Sequence, residues 1–190
     1  MQKEVELKAH IASNSVETLK KNLTSQFGKP EAEKKSDTYY KDENGSDVRI
    51  REILDDFVFT KKDQSMDGRI EVNNEYEKVL TLEEKQKLEK TLAPFMKKAK
   101  IGYIWSTTIE SFDVNIELVK VSGYYLNTPT LPIKEKDLGY FLETEFLIEY
   151  SENDNISDKI TLTKQLLETF YKKYGLYEII ESKKYMQLLQ

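Results

Sequence analysis

Pairs of charged residues two positions apart recur along this sequence and have the chemistry to bind an anion and a cation together. The basic pairs are Arg49/Arg51 and Lys98/Lys100, and the acidic pairs are Glu4/Glu6, Glu75/Glu77 and Glu143/Glu145. Residues i and i+2 of a strand lie on the same face, about 6.6 Å apart. Clustered Arg and Lys suit a polyphosphate, and clustered carboxylates suit a divalent cation that bridges to the same phosphates.

The residues between these pairs are apolar, as at Val5, Leu7, Val48 and Ile50, so each segment predicts a strand with one apolar and one charged face. For any single strand, a solvated surface face is an equally good explanation. Six such strands, with their charges sorted by sign, favour a closed antiparallel sheet that turns the charges inward. We therefore predict an α+β fold: a closed antiparallel β-tunnel of about eight strands with helices packed on the outside.

The pattern also predicts the elements that must position these residues. A strand at 2–10 precedes a helix that starts at Asn14 or Ser15 and stops at Gly28 and Pro30. Thr81 and Glu84 form a predicted capping box for a helix at 82–93. The other predicted strands are 36–41, 48–52, 57–62, 69–80, 95–105, 108–121 and 139–150; the other helices are 158–174 and a short final one; and the loops include 63–68, 122–138 and 151–158.

Composition excludes several kinds of site. The chain of 190 residues has no cysteine and one histidine, His10, which rules out disulfides, thiolate metal sites and a cysteine nucleophile. Any metal is therefore expected on Asp and Glu oxygens, which favour Mg²⁺, Mn²⁺ or Ca²⁺. The net charge of −5 argues against a broad nucleic-acid surface, so no nucleic-acid partner is expected.

Length and hydropathy set the expected organisation. A chain of this size suits one domain, predicted over 1–190. Its first residues have no apolar segment typical of a secretory signal, and no apolar run approaches the roughly 20 residues of a membrane span. We expect a cytoplasmic protein with no membrane partner, either a monomer or a homodimer.

Seven short segments, in this order, resemble the motifs of a known family. They are Glu4-Val5-Glu6-Leu7-Lys8, Asp37-Thr38-Tyr39-Tyr40, Arg49-Ile50-Arg51, Thr60-Lys61-Lys62, Glu75-Tyr76-Glu77, LGYFLETE at 138–145 and KYMQLL at 184–189. The first is similar to the E-x-E-x-K signature of the CYTH superfamily, which contains class IV adenylyl cyclases and thiamine triphosphatases. LGYFLETE is similar to the family's L-G-x-F-x-E-I-E motif, the most specific of the set. The resemblance spans nearly the whole chain.

The resemblance implies a role for each matched residue. The metal carboxylates would be Glu4, Glu6, Glu143 and Glu145. The triphosphate-binding residues would be Lys8, Arg49, Arg51, Lys62, Lys98 and Lys100. The catalytic candidates would be Lys8, Arg51, Lys62 and Glu77, and the further tunnel-lining candidates would be Tyr39, Glu75, Asp113, Glu117 and Lys184.

Some positions depart from the family pattern or leave a choice open. Asn73 stands where an arginine usually precedes the central E-x-E, and lysines stand at 98 and 100, where an arginine is common. The tunnel aspartate of the family has three candidate counterparts, Asp113, Glu117 and Asp137, among which we favour Glu117. A register error of one residue would exchange Lys61 and Lys62.

The implied function is metal-dependent chemistry on a triphosphate such as ATP, thiamine triphosphate or inorganic triphosphate, with Mg²⁺ or Mn²⁺. A triphosphatase uses water as the nucleophile, whereas a class IV adenylate cyclase uses the 3′-hydroxyl of ATP and releases cyclic AMP and pyrophosphate. We favour the triphosphatase, because the motifs account for phosphates and metal but assign no residue to a base. A polyphosphate-binding module without turnover and a β-rich interaction domain are the alternatives from other classes.

Overall fold

Eight antiparallel strands form a closed barrel in the structure, a computed structural model that describes residues 2–53, 56–126, 134–151 and 155–190. Around the barrel their order is β1-β5-β4-β3-β2-β6-β7-β8, and β8 pairs with β1. The strands are β1 Gln2–Ile11, β2 Glu31–Lys41, β3 Asp47–Ile53, β4 Asp56–Asp67, β5 Ile70–Leu80, β6 Ala93–Ile109, β7 Phe112–Tyr125 and β8 Lys136–Glu149. The predicted fold class, an α+β closed tunnel, is confirmed.

Helices cover the apolar outer face of this barrel. They are α1 Val16–Phe27, α2 Leu82–Thr91, α3 Ile156–Lys173 and the short α4 Tyr185–Leu189. Leu23 of α1 and Leu167 of α3 are buried in the largest core, which also holds Val5 and Leu7 of β1. Burial of each such side chain stabilises the fold by about 1.5–3 kcal/mol.

A second, smaller core lies under α2, where Leu88 and Leu92 pack against Val48 and Ile50 of β3. The start of α2 has the predicted capping box. Thr81 Oγ1 accepts a hydrogen bond from the backbone N–H of Glu84 at 3.2 Å, and the Glu84 carboxylate accepts one from the N–H of Thr81 at 2.9 Å. These bonds fix the chain direction where β5 ends and the helical cover begins.

The first strand is completed by residues from near the other end of the sequence. On one edge β1 pairs with β8 over its whole length, but on the other it pairs with β5 only through Lys3 to Glu6. Beyond that point Ala9 forms a bridge with Ile180, and the N–H of Glu181 donates to the carbonyl of Lys8 at 2.9 Å. The segment before α4 therefore lies against the part of β1 that carries Lys8.

All three of the predicted loops are wrong in part, and helix α3 begins at Ile156, inside the last of them. The segment 63–68 continues β4 to Asp67, which pairs with Ile70, and the turn is confined to Gly68 and Arg69. Gly68 has a positive φ of 63°, which glycine adopts without a side-chain clash. Of the predicted loop 122–138, β7 takes the residues to Tyr125 and β8 those from Lys136, while 127–133 lie outside the described residues. Both strands are longer than the sequence indicates because partner strands satisfy their backbone groups.

In the part of the chain that the structure describes, no helix has the length and apolar character needed to cross a membrane.

Candidate active site in the barrel lumen

The charged faces of the strands point into the barrel, as the alternation predicts. On β1, Val5 and Leu7 lie in the outer core while Glu4 and Lys8 are buried on the opposite face. Cross-strand partners share a face, so the pairing of Lys8 with Glu143 and of Glu6 with Glu145 places all four in the lumen.

The predicted phosphate-binding residues are brought together in this lumen. Lys8, Arg49, Lys98 and Lys100 are buried, and Arg51 pairs across β2 and β3 with the buried Asp37. Lys62 also points inward: its Nζ lies 2.8 Å from Glu4 and 2.7 Å from Glu75. Lys61 faces outward and pairs with Asp42 at the surface, so the choice between Lys61 and Lys62 is resolved geometrically.

The lumen differs from the predicted rows of like charge, because opposite charges from neighbouring strands interleave. Arg51 donates to both oxygens of Asp37 at 2.7 and 3.1 Å, and Lys98 lies 3.1 Å from the same carboxylate. Lys100 bonds Glu117 at 2.9 Å and Glu143 at 2.7 Å. The sequence shows the sign of the charges on each strand, but which charges form ion pairs depends on which strands become neighbours in the barrel. The basic residues are therefore held in ion pairs.

Asp37 is the most buried of these carboxylates, with 1% of its surface exposed. Burial disfavours its charged form, but Arg51 and Lys98 together hold the pKa of Asp37 well below its usual value of 3.8. Because the folded state lowers the pKa, this carboxylate stabilises the fold above pH 3.8, and the contribution is lost as the pH falls toward the folded value.

Arg51→Met is expected to lower the free energy of unfolding by about 3 kcal/mol, because it leaves Asp37 with Lys98 as its remaining partner. Urea denaturation of the wild type and the variant at pH 7 measures the effect. The double variant Arg51→Met/Asp37→Leu should recover part of the loss. A single variant more stable than the wild type would show instead that like-charge repulsion dominates the lumen.

The four predicted metal carboxylates lie along the seam between β1 and β8. Burial, together with Glu71, raises the pKa of Glu6 to about 8, and burial with the neighbouring Glu4 raises that of Glu145 to about 8. Burial opposes the charged form of Glu143 as well, but Lys100 lowers its pKa. Negative charge is thus under-compensated at Glu6 and Glu145 and better balanced at Glu143.

The chemistry of these four side chains suits a hard divalent cation. All of its ligating atoms are carboxylate oxygens, the donors that Mg²⁺ and Mn²⁺ prefer, and a cation would relieve the field that raises the two pKa values. Among the described residues, no three acidic or histidine side chains converge closely enough to hold an ion in the conformation present. The ion pairs of Glu4 with Lys62 and Glu143 with Lys100 engage two of the four carboxylates. Metal binding at this seam therefore remains a prediction.

Glu75 and Glu77, the acidic pair on β5, also face the lumen. Arg49 donates to Thr60 Oγ1 at 2.9 Å, and Thr60 in turn donates to Glu77 at 3.1 Å. Arg49 lies 3.7 Å from Glu75 and 3.6 Å from Glu77. Asn73, next along the same face, is fully buried, and within the described part of the chain its amide has no hydrogen-bond partner. The catalytic candidate Glu77 thus contacts Arg49 through Thr60.

The remaining candidates divide by position. Glu117 is buried and bonded to Lys35 and Lys100, whereas Asp113 is exposed nearer the end of β7 and Asp137 pairs with Lys120 at the surface. Lys98 Nζ lies 5.5 Å from the ring centre of Tyr39, which brings that ring to the basic cluster. Lys184 lies at the start of α4 and is half-buried, and its neighbour Tyr185 is the α4 residue that contacts the charged lumen.

Tyr185 closes one end of the barrel and was not predicted. Its hydroxyl donates to Glu143 at 2.5 Å, and the ammonium groups of Lys8, Lys98 and Lys100 lie 5.0–5.8 Å from its ring centre. Tyr185 and Leu188 pack against the inward-facing Val121 and Phe141. We call this the plugged end. The only sequence signal was the match of KYMQLL to a family motif.

Sequence reasoning also missed four charged residues of the lumen. Glu33 and Lys35 come from an extension of β2 beyond its predicted start, and Lys35 pairs with both Glu33 and Glu117. Glu71 bonds Lys8 at 3.0 Å. Asp37 was noticed only as part of a motif. Alternation from Asp37 along β2 and from Glu75 along β5 is the signal that would have found Lys35, Glu33 and Glu71.

Solved structures of other proteins share this architecture. A protein from Pyrococcus horikoshii has a TM-score of 0.65 and 21% identity, covering 98% of this chain and 99% of its own. A candidate adenylyl cyclase from Hippeastrum, described as having a dominant triphosphatase activity, has a TM-score of 0.56 and 15% identity over 93% of this chain and 89% of its own. The chain shares the fold of these proteins, as the resemblance of the seven motifs implies.

This fold also occurs in a chain that is not described as an enzyme. A chain of the Schizosaccharomyces pombe Mediator head module matches with a TM-score of 0.65 and 11% identity, over 92% of this chain and 96% of its own. Neither a protein-family model nor a curated protein sequence matches the chain. Function must therefore be argued from the barrel lumen itself.

Proposed function

We propose that the protein is a divalent-metal-dependent triphosphatase that binds its substrate in the barrel lumen and hydrolyses a phosphoanhydride bond. The observation that carries this proposal is the set of buried and half-buried cations that face one lumen: Lys8, Arg49, Arg51, Lys62, Lys98 and Lys100. Lumen carboxylates offset the cost of burying these cations in the absence of substrate, and Arg and Lys at close quarters are suited to several phosphate oxygens.

The charge balance of the lumen supports a role for metal. Among the described residues, ten carboxyl groups face these cations and Lys35. Because Glu6 and Glu145, with pKa values of about 8, are largely protonated at neutral pH, eight negative charges stand against seven positive ones. A triphosphate adds about four more negative charges at neutral pH. It can enter such a space only together with cations. A divalent ion at Glu4, Glu6, Glu143 and Glu145 would neutralise phosphate oxygens and orient the attacking group.

The protein's own residues have separate tasks in this proposal. Arg49 and Arg51 bind the phosphate chain from one wall, and Lys8, Lys98 and Lys100 bind it near the plugged end. Lys62 stabilises negative charge that develops on the leaving phosphate, because its ammonium group lies in the lumen, between Glu4 of β1 and Glu75 of β5. Glu77 holds Arg49 through Thr60.

The products formed from three substrates test this proposal. The protein is incubated with ATP, thiamine triphosphate or inorganic triphosphate in the presence of Mg²⁺ or Mn²⁺. We expect orthophosphate and the matching diphosphate. Cyclic AMP with pyrophosphate from ATP would identify a class IV cyclase instead. A ligand-induced rise in melting temperature without any product would identify a polyphosphate-binding module.

A further inference from the structure

A buried amide without a partner faces the acidic residues of β1. Asn73 of β5 is fully buried, and within the described ranges neither its Oδ1 nor its Nδ2 has a hydrogen-bond partner. The pairing of β5 with β1 places Asn73 directly opposite Glu4, so its side chain points into the lumen. A buried polar group without a partner destabilises the fold unless a water molecule, an ion or a ligand satisfies it. The side chains around Asn73 favour an ion.

Four carboxyl groups surround this amide. Glu71 and Glu75 lie two positions away on the same face of β5, about 6.6 Å along the strand, and Glu4 is opposite, with its Cβ about 5 Å away. Glu6 is in turn directly opposite Glu71. These five side chains form one area of the lumen wall, which we call the β1–β5 patch. An area so rich in oxygen atoms and negative charge suits a divalent cation.

Two lysines bond carboxylates of the β1–β5 patch. Lys8 lies 3.0 Å from Glu71. Lys62 lies 2.8 Å from Glu4 and 2.7 Å from Glu75. A lysine ammonium sits on a flexible stem and carries one charge, so a divalent cation can displace it from a carboxylate. Neither lysine bonds the amide, so a cation that binds its Oδ1 displaces no protein donor there.

We infer that Asn73 Oδ1 is a ligand of the divalent cation in the lumen, so that the cation site extends from Glu4 and Glu6 of β1 onto β5. The inference rests on the proposed function, which needs this cation, and adds a ligand that no acidic motif contains. Amide and carboxylate oxygens together bind hard divalent cations, and a neutral ligand adds coordination without adding repulsion among the carboxyl groups. With Oδ1 on the cation, Nδ2 is left to donate a hydrogen bond to a neighbouring carboxylate.

Binding of Mn²⁺ to the protein alone, without any triphosphate, tests this assignment. Bound Mn²⁺ loses the sharp electron paramagnetic resonance signal of the free ion, so a titration gives the dissociation constant. Asn73→Leu removes the ligand at similar side-chain volume and should weaken Mn²⁺ binding about tenfold or more. Asn73→Asp places a charged oxygen at the same position and should tighten it. Asn74→Leu, the same change at the adjacent exposed residue, should stay within about twofold of the wild type.

Stability without metal separates a ligand from a residue that only supports the fold. In EDTA, Asn73→Leu replaces an unpartnered buried amide with an apolar group, so the midpoint of urea denaturation should equal or exceed that of the wild type. Added Mn²⁺ should then raise the midpoint of the wild type by mass action, and that of Asn73→Leu less. A lower midpoint in EDTA with unchanged Mn²⁺ binding would assign Asn73 to the fold and overturn the inference.

Separate results overturn the inference and the proposed function. Equal Mn²⁺ binding by Asn73→Leu and the wild type, as expected if a water molecule satisfies the amide, would overturn the inference. So would the absence of Mn²⁺ binding by the wild type. In both cases orthophosphate release in Mn²⁺ would leave the triphosphatase standing. Mn²⁺ binding in the expected order without product from ATP, thiamine triphosphate or inorganic triphosphate would overturn the triphosphatase and leave Asn73 as a metal ligand.

Discussion

Lys62→Ala is expected to lower triphosphate turnover by at least about 10²-fold, whereas Lys61→Ala should leave it within about twofold of the wild type. The two lysines are adjacent in sequence, but Lys62 is bonded inside the lumen to Glu4 and Glu75, and Lys61 pairs with Asp42 at the surface. Loss of one donor that stabilises transition-state charge typically lowers kcat by 10²–10³-fold. Steady-state phosphate release measures the difference.

Ligand binding by the same two variants gives an independent check. Triphosphate should raise the melting temperature of the wild type and of Lys61→Ala by mass action, and that of Lys62→Ala much less. Lys62→Arg should retain part of the shift because it keeps the charge. Equal losses of activity in Lys61→Ala and Lys62→Ala would place the phosphate site outside the lumen.

Glu145→Gln is expected to reduce turnover in Mg²⁺ or Mn²⁺ by at least about 10²-fold, and Glu6→Gln to a similar extent. These two side chains are directly opposite across β1 and β8, and both lie where negative charge is under-compensated. Removal of one carboxylate would leave a bound ion underligated, and its neutralisation of phosphate charge is worth several kcal/mol. Turnover assays across a metal titration measure the loss and any shift in metal dependence.

Two controls accompany these variants. Glu43→Gln changes an exposed carboxylate in the β2–β3 turn and should have no effect on turnover. Excess EDTA should abolish the activity of the wild type, and added Mn²⁺ should restore it. Full turnover in EDTA would rule out the metal requirement, while leaving the basic residues as phosphate ligands.

The alternation of apolar and charged residues predicted the barrel, because the two-residue period of a strand can be read directly from a sequence. Alternation on β1 separated Val5 and Leu7 from Glu4 and Glu6, and the same reasoning placed Lys62 inside. Strand length was harder to predict: β4 continues to Asp67 because Ile70 and its neighbours pair with it, although the residues at 63–68 are those of a loop.

Contacts between distant strands were beyond this reasoning. Asp37 and Lys98 are 61 positions apart in the numbering, and they meet because β2 and β6 are neighbours in the closed barrel. Tyr185 reaches Glu143 only after α4 has folded back over the lumen. The signs of the lumen charges were therefore predictable, but their ion pairs and the plug followed from topology.

The position of β1 has a consequence for how the protein is made. Its hydrogen-bonded partners on both edges, β8 on one and β5 with Ile180 on the other, are translated 65 to 171 residues later. A nascent chain that has emerged through β7 already carries Arg49, Arg51, Lys98 and Lys100, yet its sheet is open and its acidic seam is missing. Contacts of such long sequence separation form slowly. The ability to capture a phosphate chain should therefore appear in a single late step, after synthesis has passed Tyr185, rather than grow strand by strand on the ribosome.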